Sequence, residues 1–220
     1  MKTLVVAPHP DDEVLGLGGT LLRRKSEGAS IAWLIVTGIT EENGWTKEKI
    51  ALREQEISRI SSFFDFDKVY NLGFPTTKLD TFPIGDIINK ISKIINSYMP
   101  EEIFIPHIGD VHTDHDIVFK AVVSSAKSFR FPFIKKILSY ETPSETDFGL
   151  YVPNSFNPNV FVDITKFLDK KLEAMEIYSS EMGIFPFPRS KESVQALAKV
   201  RGSASGFNAA EAFQLLRSRE

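Results

Sequence analysis

Two short runs hold three of the chain's four histidines, each with acidic neighbours. The first, His9-Pro10-Asp11-Asp12-Glu13, follows the apolar segment Lys2–Ala7, and the second, His112-Thr113-Asp114-His115, follows the apolar segment Glu102–Pro106. The chain has no cysteine. Any metal must then be held by imidazole and carboxylate, ligands suited to a hard or borderline divalent cation. His9 and Asp12, three apart across a tight turn, can point at one ion, which leaves Asp11 over. A carboxylate beside a metal but not bound to it is what a general base requires, within reach of an activated water.

His112 and His115 share one face of a helical turn, so one can ligate while the other reaches over a reacting carbonyl. His9, Asp12 and His115 form a three-ligand set with a fourth position for water, the pattern of catalytic rather than structural zinc; ferrous iron is accepted by the same donors. A cation there would activate water for hydrolysis while Asp11 removes the proton and returns it to a leaving amine. His112, if protonated, would stabilise an oxyanion or serve as the acid, and Asp114 could orient either neighbouring histidine. The plainer alternative makes Asp11 and Asp12 the N-cap and first-turn acid of a helix. Gly16-Leu17-Gly18-Gly19 matches a phosphate-binding turn poorly, since three acids precede it and it lies within the helical pattern; these glycines are assigned to close helix–sheet packing.

The elements that would carry these runs alternate in type. Strands are expected at Lys2–Ala7, Ala29–Thr37, Lys68–Leu72, Glu102–Pro106 and Lys136–Tyr140. Helical periodicity covers Leu15–Lys25, Thr46–Phe64, the stripe Ile87, Ile88, Ile91, Ile94, Ile95 and Tyr98 before Pro100, His112–Phe129 and Ile164–Ser180. Such alternation implies right-handed crossovers and a three-layer α/β domain with a mostly parallel, doubly wound sheet spanning residues 1–220. Both runs would then stand at the carboxyl edge of the sheet, where ligands bind. Thr142–Asn159, rich in proline and asparagine, reads as a long loop whose Phe148, Tyr151 and Phe156 suit a substrate-facing wall. Specificity is assigned to that loop and to Thr37–Trp45; Trp45 and Phe74 are pocket walls or core aromatics.

A net charge of −3 with mixed signs offers no basic stripe for nucleic acid. No apolar run is long enough to span a membrane, and a cytoplasmic protein is expected. The aromatic-rich C-terminal third could supply a homo-oligomer interface.

With these residues in view, the sequence resembles the PIG-L or LmbE-like family of zinc-dependent deacetylases acting on N-acetylglucosaminyl groups and related N-acyl compounds. Its marks are His9–Glu13 and His112–His115, with weaker ones at Arg53 and Glu56, Tyr140-Glu141, and Arg201 with Ala210-Glu211-Ala212-Phe213. The resemblance implies a Rossmann-like fold, zinc on His9, Asp12 and His115, Asp11 as base and His112 assisting the transition state. It also raises Arg53 to a candidate substrate contact. An N-acyl sugar or related small compound is the expected substrate. A metal-dependent phosphoesterase and a non-catalytic binding module are the alternatives.

Overall fold

A computed structural model describes residues 1–220, apart from the side chain of Val152. Strands β1 (Lys2–Ala7), β2 (Ser30–Gly38), β3 (Lys68–Pro75), β4 (Glu102–Pro106), β5 (Lys136–Tyr140), β6 (Val160–Asp163) and β7 (Ala210–Ser218) form one sheet. Their order is β3-β2-β1-β4-β5-β7-β6; the first five pair in parallel, and β7 runs antiparallel to β5 and β6. Helices α1 (Asp12–Ser26), α2 (Lys47–Phe64), α3 (Ile84–Tyr98), α4 (Thr113–Ser125), α5 (Leu168–Met175) and α6 (Lys191–Ser205) cover both faces. Among the described residues, no helix is long and apolar enough to cross a membrane.

Both faces of the central strands are apolar, as buried parallel strands require. Val5, Trp33 and Ile35 pack on one side with Leu21, Phe64, Ala174 and Val194 from α1, α2, α5 and α6. Leu4, Val6, Leu34 and Val36 pack on the other with Ile87, Ile91, Ile95 and Val118 from α3 and α4. This is the three-layer, Rossmann-like arrangement expected. The chain winds outward from β1 through β2 to β3, then returns to place β4 against β1. Strand order therefore reverses between β1 and β4, and the crevice at that switch point is where such sheets bind ligands.

Four elements depart from the sequence reading, β6 among them, since it lies outside the five expected strands. The helix expected over Ile164–Ser180 is α5 followed by a 3-10 turn, Glu176–Glu181, in which Tyr178 leaves helical geometry. Strand β7 is rich in helix formers and nevertheless extends, because it pairs with β5 on one side and β6 on the other. Helix α6 buries only Val194, Ala198 and Gly202, too thin a stripe to stand out in the sequence.

Helix α1 is broken at Leu17 (φ −149°, ψ 21°). The break is filled from distant elements. Gly19 and Thr20 donate their N–H groups to Glu211 of β7 at 3.0 and 2.6 Å, while Lys171 of α5 donates to the Leu15 carbonyl at 2.8 Å. Lys171 and Glu211 pair at 2.6 Å, both buried, so the charges satisfy each other and the loosened backbone together. The glycines serve proximity: a Cβ at Gly16 would lie 2.4 Å from the Tyr140 ring, and one at Gly19 would lie 2.8 Å from Ile164.

Two substitutions test this packing by urea unfolding. Lys171→Met, which leaves the buried Glu211 carboxylate without its cation, should cost about 3–5 kcal/mol. Gly16→Ala should cost about 1–3 kcal/mol through overpacking against Tyr140.

Candidate active site

The loop after β1 and the loop leading into α4 meet at the β1–β4 crevice. Asp12 is buried at their junction. Its Oδ2 accepts the His9 N–H at 2.9 Å and lies 3.5 Å from His9 Nδ1 and 3.3 Å from His115 Nε2. Each ring is fixed from its far side. His115 Nδ1 donates to Asp110 Oδ2 at 2.7 Å, and His9 Nε2 donates to Asp114 Oδ2 at 3.0 Å. Asp114 is itself held by the backbone N–H groups of Thr77 (2.8 Å) and Leu79 (3.2 Å).

These bonds direct His9 Nδ1 and His115 Nε2 toward Asp12, and the three donor atoms all lie within 4.8 Å of one another. His115 Nε2 is buried with no hydrogen-bond partner among the described residues. A ring nitrogen so placed, without a hydrogen-bond partner and beside a buried carboxylate, fits a cation in place of a proton. A second set, His9, His112 and Asp114, is equally compact but shares His9.

The protonation tendencies follow from these contacts. Burial works against charge on Asp12, yet the neighbouring His115 and His9 hold its carboxyl well below the usual range. Burial likewise opposes protonation of His9, but its hydrogen bonds to Asp114 and Asp12 raise it to about 9. The carboxylates that draw protons onto these rings would stabilise a divalent cation in the same place.

Asp11 occupies the N-cap position of α1 but makes no capping hydrogen bond. Its backbone sits at φ 146°, a strained conformation for a residue with a side chain. Two contacts hold it there. The Asp11 N–H donates to Glu13 Oε2 at 3.1 Å, with Glu13 Oε1 accepting the Tyr178 hydroxyl at 2.9 Å, and Asp11 Oδ2 accepts Arg189 Nη1 at 2.7 Å. Burial and the charge of Asp12 push the Asp11 carboxyl up to about 7, against the pull of Arg189. His112 caps α4, its Nδ1 accepting the Asp114 N–H at 3.1 Å. Burial, with His9 and His115 alongside, lowers its imidazole to about 4, so the ring is neutral with its proton on Nε2 instead of an imidazolium.

A cavity of about 370 Å³ opens beside these groups. Thr37, Gly38, Ile39, Thr40 and Trp45 line it, in the segment expected to carry specificity. Among the described residues of the 142–159 loop, only Glu145 does so. Phe148, Tyr151 and Phe156 do not line it; Phe148 and Phe156 belong to a separate cavity with Glu141 and Arg201, because His107, donating to the Asn154 carbonyl at 2.6 Å, ties the loop to the end of β4. Phe74 is a core residue, and Arg201 pairs with Glu141.

Arg53 lines the cavity, donating to the Pro10 carbonyl at 2.7 Å and pairing with Glu181 and, at 3.1 Å, with Glu56. Sequence reasoning missed Asp110, Glu145, Tyr178, Glu181 and Arg189. Asp110 could have been found by asking what fixes the His115 ring. Arg189 could not, since 178 residues separate it from Asp11.

The model of the PIG-L family, described as GlcNAc-PI de-N-acetylase, matches residues 4–126. Diacetylchitobiose deacetylase of Thermococcus kodakarensis is 25% identical, over 98% of this chain and 83% of that protein. A protein of Bacillus anthracis named probable N-acetyl-alpha-D-glucosaminyl L-malate deacetylase 2 is 24% identical, over 81% and 80%. The crystal structure of a conserved protein from Thermus thermophilus superimposes with a TM-score of 0.78 at 30% identity, covering 99% of this chain and 96% of that one. The family match spans more than half of the chain and includes both histidine runs, and the chain belongs to the PIG-L family.

Proposed function

We propose that this chain, acting as one domain, is a zinc-dependent hydrolase that removes the N-acetyl group from an N-acetylglucosamine-type sugar or conjugate. The observation that carries the reading is the pairing of a compact three-donor set, half-buried His9 with buried Asp12 and His115, with a carboxylate beside it, Asp11, that faces an arginine instead of capping its helix. His9, Asp12 and His115 would hold a divalent cation, which would lower the pKa of a bound water and polarise an amide carbonyl. Ferrous iron suits the same donors.

Asp11 takes the proton from the attacking water and delivers it to the departing amine. Arg189 keeps that carboxylate aimed between the two events. His112, with Nδ1 occupied by a backbone N–H, donates from Nε2 to the oxygen on which negative charge develops. Asp110 and Asp114 fix the tautomers of the two histidine ligands. Arg53 forms the wall against which the substrate rests. Both donor sets among the described residues share His9, which favours one cation over the two-cation clamp common in phosphoesterases.

Purified protein with zinc should release acetate from N-acetylglucosamine derivatives and stop when a chelator is added. Asp11→Asn should retain metal and lose about 10²–10⁴-fold in kcat, whereas Asp12→Asn should lose metal, as read by elemental analysis. Turnover by Asp11→Asn at the parent rate would contradict the assigned base. Asp110→Asn should weaken metal affinity by about 10–100-fold while leaving the fold intact by circular dichroism.

A further inference from the structure

The cavity beside the catalytic residues is lined by four carboxyl groups, those of Asp11, Glu54, Glu145 and Glu181, and by two guanidinium groups. Both guanidiniums are already engaged by protein oxygens. Arg189 directs Nε to Ser144 Oγ (2.7 Å), Nη1 to Asp11 (2.7 Å) and Nη2 to Glu145 (3.1 Å). Arg53 directs Nη1 to the Pro10 carbonyl (2.7 Å) and Nη2 to Glu181, and its charge also lies beside the Glu56 carboxylate (3.1 Å). Each cation is already paired with carboxylates of the cavity wall, and no lysine lines the cavity; Lys49 stands over the Trp45 ring at 5.3 Å without lining it.

Glu54, in contrast, lines the cavity and has no partner among the described residues. Part of the remaining wall is apolar, built from Trp45, Ile39, Ile50 and Ile57. A phosphate or carboxylate brought here would meet the unpaired Glu54 and would compete with Asp11, Glu145 and Glu181 for the charge of Arg189 and Arg53. A neutral sugar face would meet the indole and isoleucine side chains at no such cost.

We infer that this cavity selects N-acyl amino sugars that are uncharged or cationic away from the amide, and discriminates against those bearing phosphate or carboxylate. The inference rests on the deacetylase reading and narrows it. The relatives make the distinction a real one, since one is named for a chitobiose and another for a malate conjugate.

The test compares the zinc-loaded full chain on three N-acetylglucosamine compounds bearing a methyl, a phosphate or a malate aglycone. The methyl glycoside should show a kcat/KM higher by about tenfold or more. Glu54→Lys should narrow that ratio by about threefold or more, chiefly through the KM of the anionic compounds. Calorimetric titration with the three deacetylated amines reads the same preference without turnover. Equal or stronger use of the anionic compounds, or a ratio unmoved in Glu54→Lys, overturns the inference. Absence of acetate release from all three compounds counts against the deacetylase reading instead, and the calorimetric order then decides charge selection by itself.

Discussion

A single buried carboxylate, that of Asp12, sets the terms for everything around it. An ionised group removed from water is tolerated only when paired and hydrogen-bonded. The chain meets this demand with the His9 N–H and two imidazoles, and it fixes each imidazole by a further carboxylate. Those outer carboxylates are anchored in turn: Asp114 by backbone N–H groups of Thr77 and Leu79, Asp110 by the Thr146 hydroxyl at 2.6 Å. Segments following β1, β3, β4 and β5 are thereby joined at one point on the sheet edge. Little freedom remains in the donor set, which is the preorganisation that a cation site requires.

The neighbouring residue has been placed at a cost. Asp11 adopts a backbone conformation that favours glycine, and a conformation of that kind persists only where surrounding contacts over-determine it. Glu13, itself held by Tyr178, grips its amide from behind, Arg189 grips its carboxylate from the front, and Pro10 just before it is held by Arg53. Further along the same helix the break at Leu17 is filled by Lys171 and Glu211. The C-terminal elements, which contribute none of the proposed metal ligands, thus shape the helix that carries them.

The cavity reflects the same economy of charge. The arginines that anchor Asp11 and Pro10 are paired with protein oxygens, so positioning the proposed base and recognising an anionic substrate become competing uses of one group. A family frame can keep its metal-binding donors while the cavity wall, drawn from loops such as Thr37–Trp45, varies the character of the substrate.

Much of this was legible in the sequence. The two histidine runs, the strand–helix alternation that puts both at one sheet edge, and the isoleucine stripe of α3 are local patterns, readable from spacing because periodicity and cap chemistry act over a few residues. The glycines of α1 were likewise readable as a packing surface. What only the tertiary structure decided depends on partners far apart in sequence. Strand order brought β4 against β1 and so joined the runs; Arg189 reached Asp11 across 178 residues; β7 became a strand because β5 and β6 flank it. The 142–159 loop, whose aromatics suggested a substrate wall, was turned away by the His107–Asn154 bond. Sequence spacing specifies which atoms can hold a metal, whereas long-range pairing specifies the tautomers, the strain and the cavity charge that decide how those atoms are used.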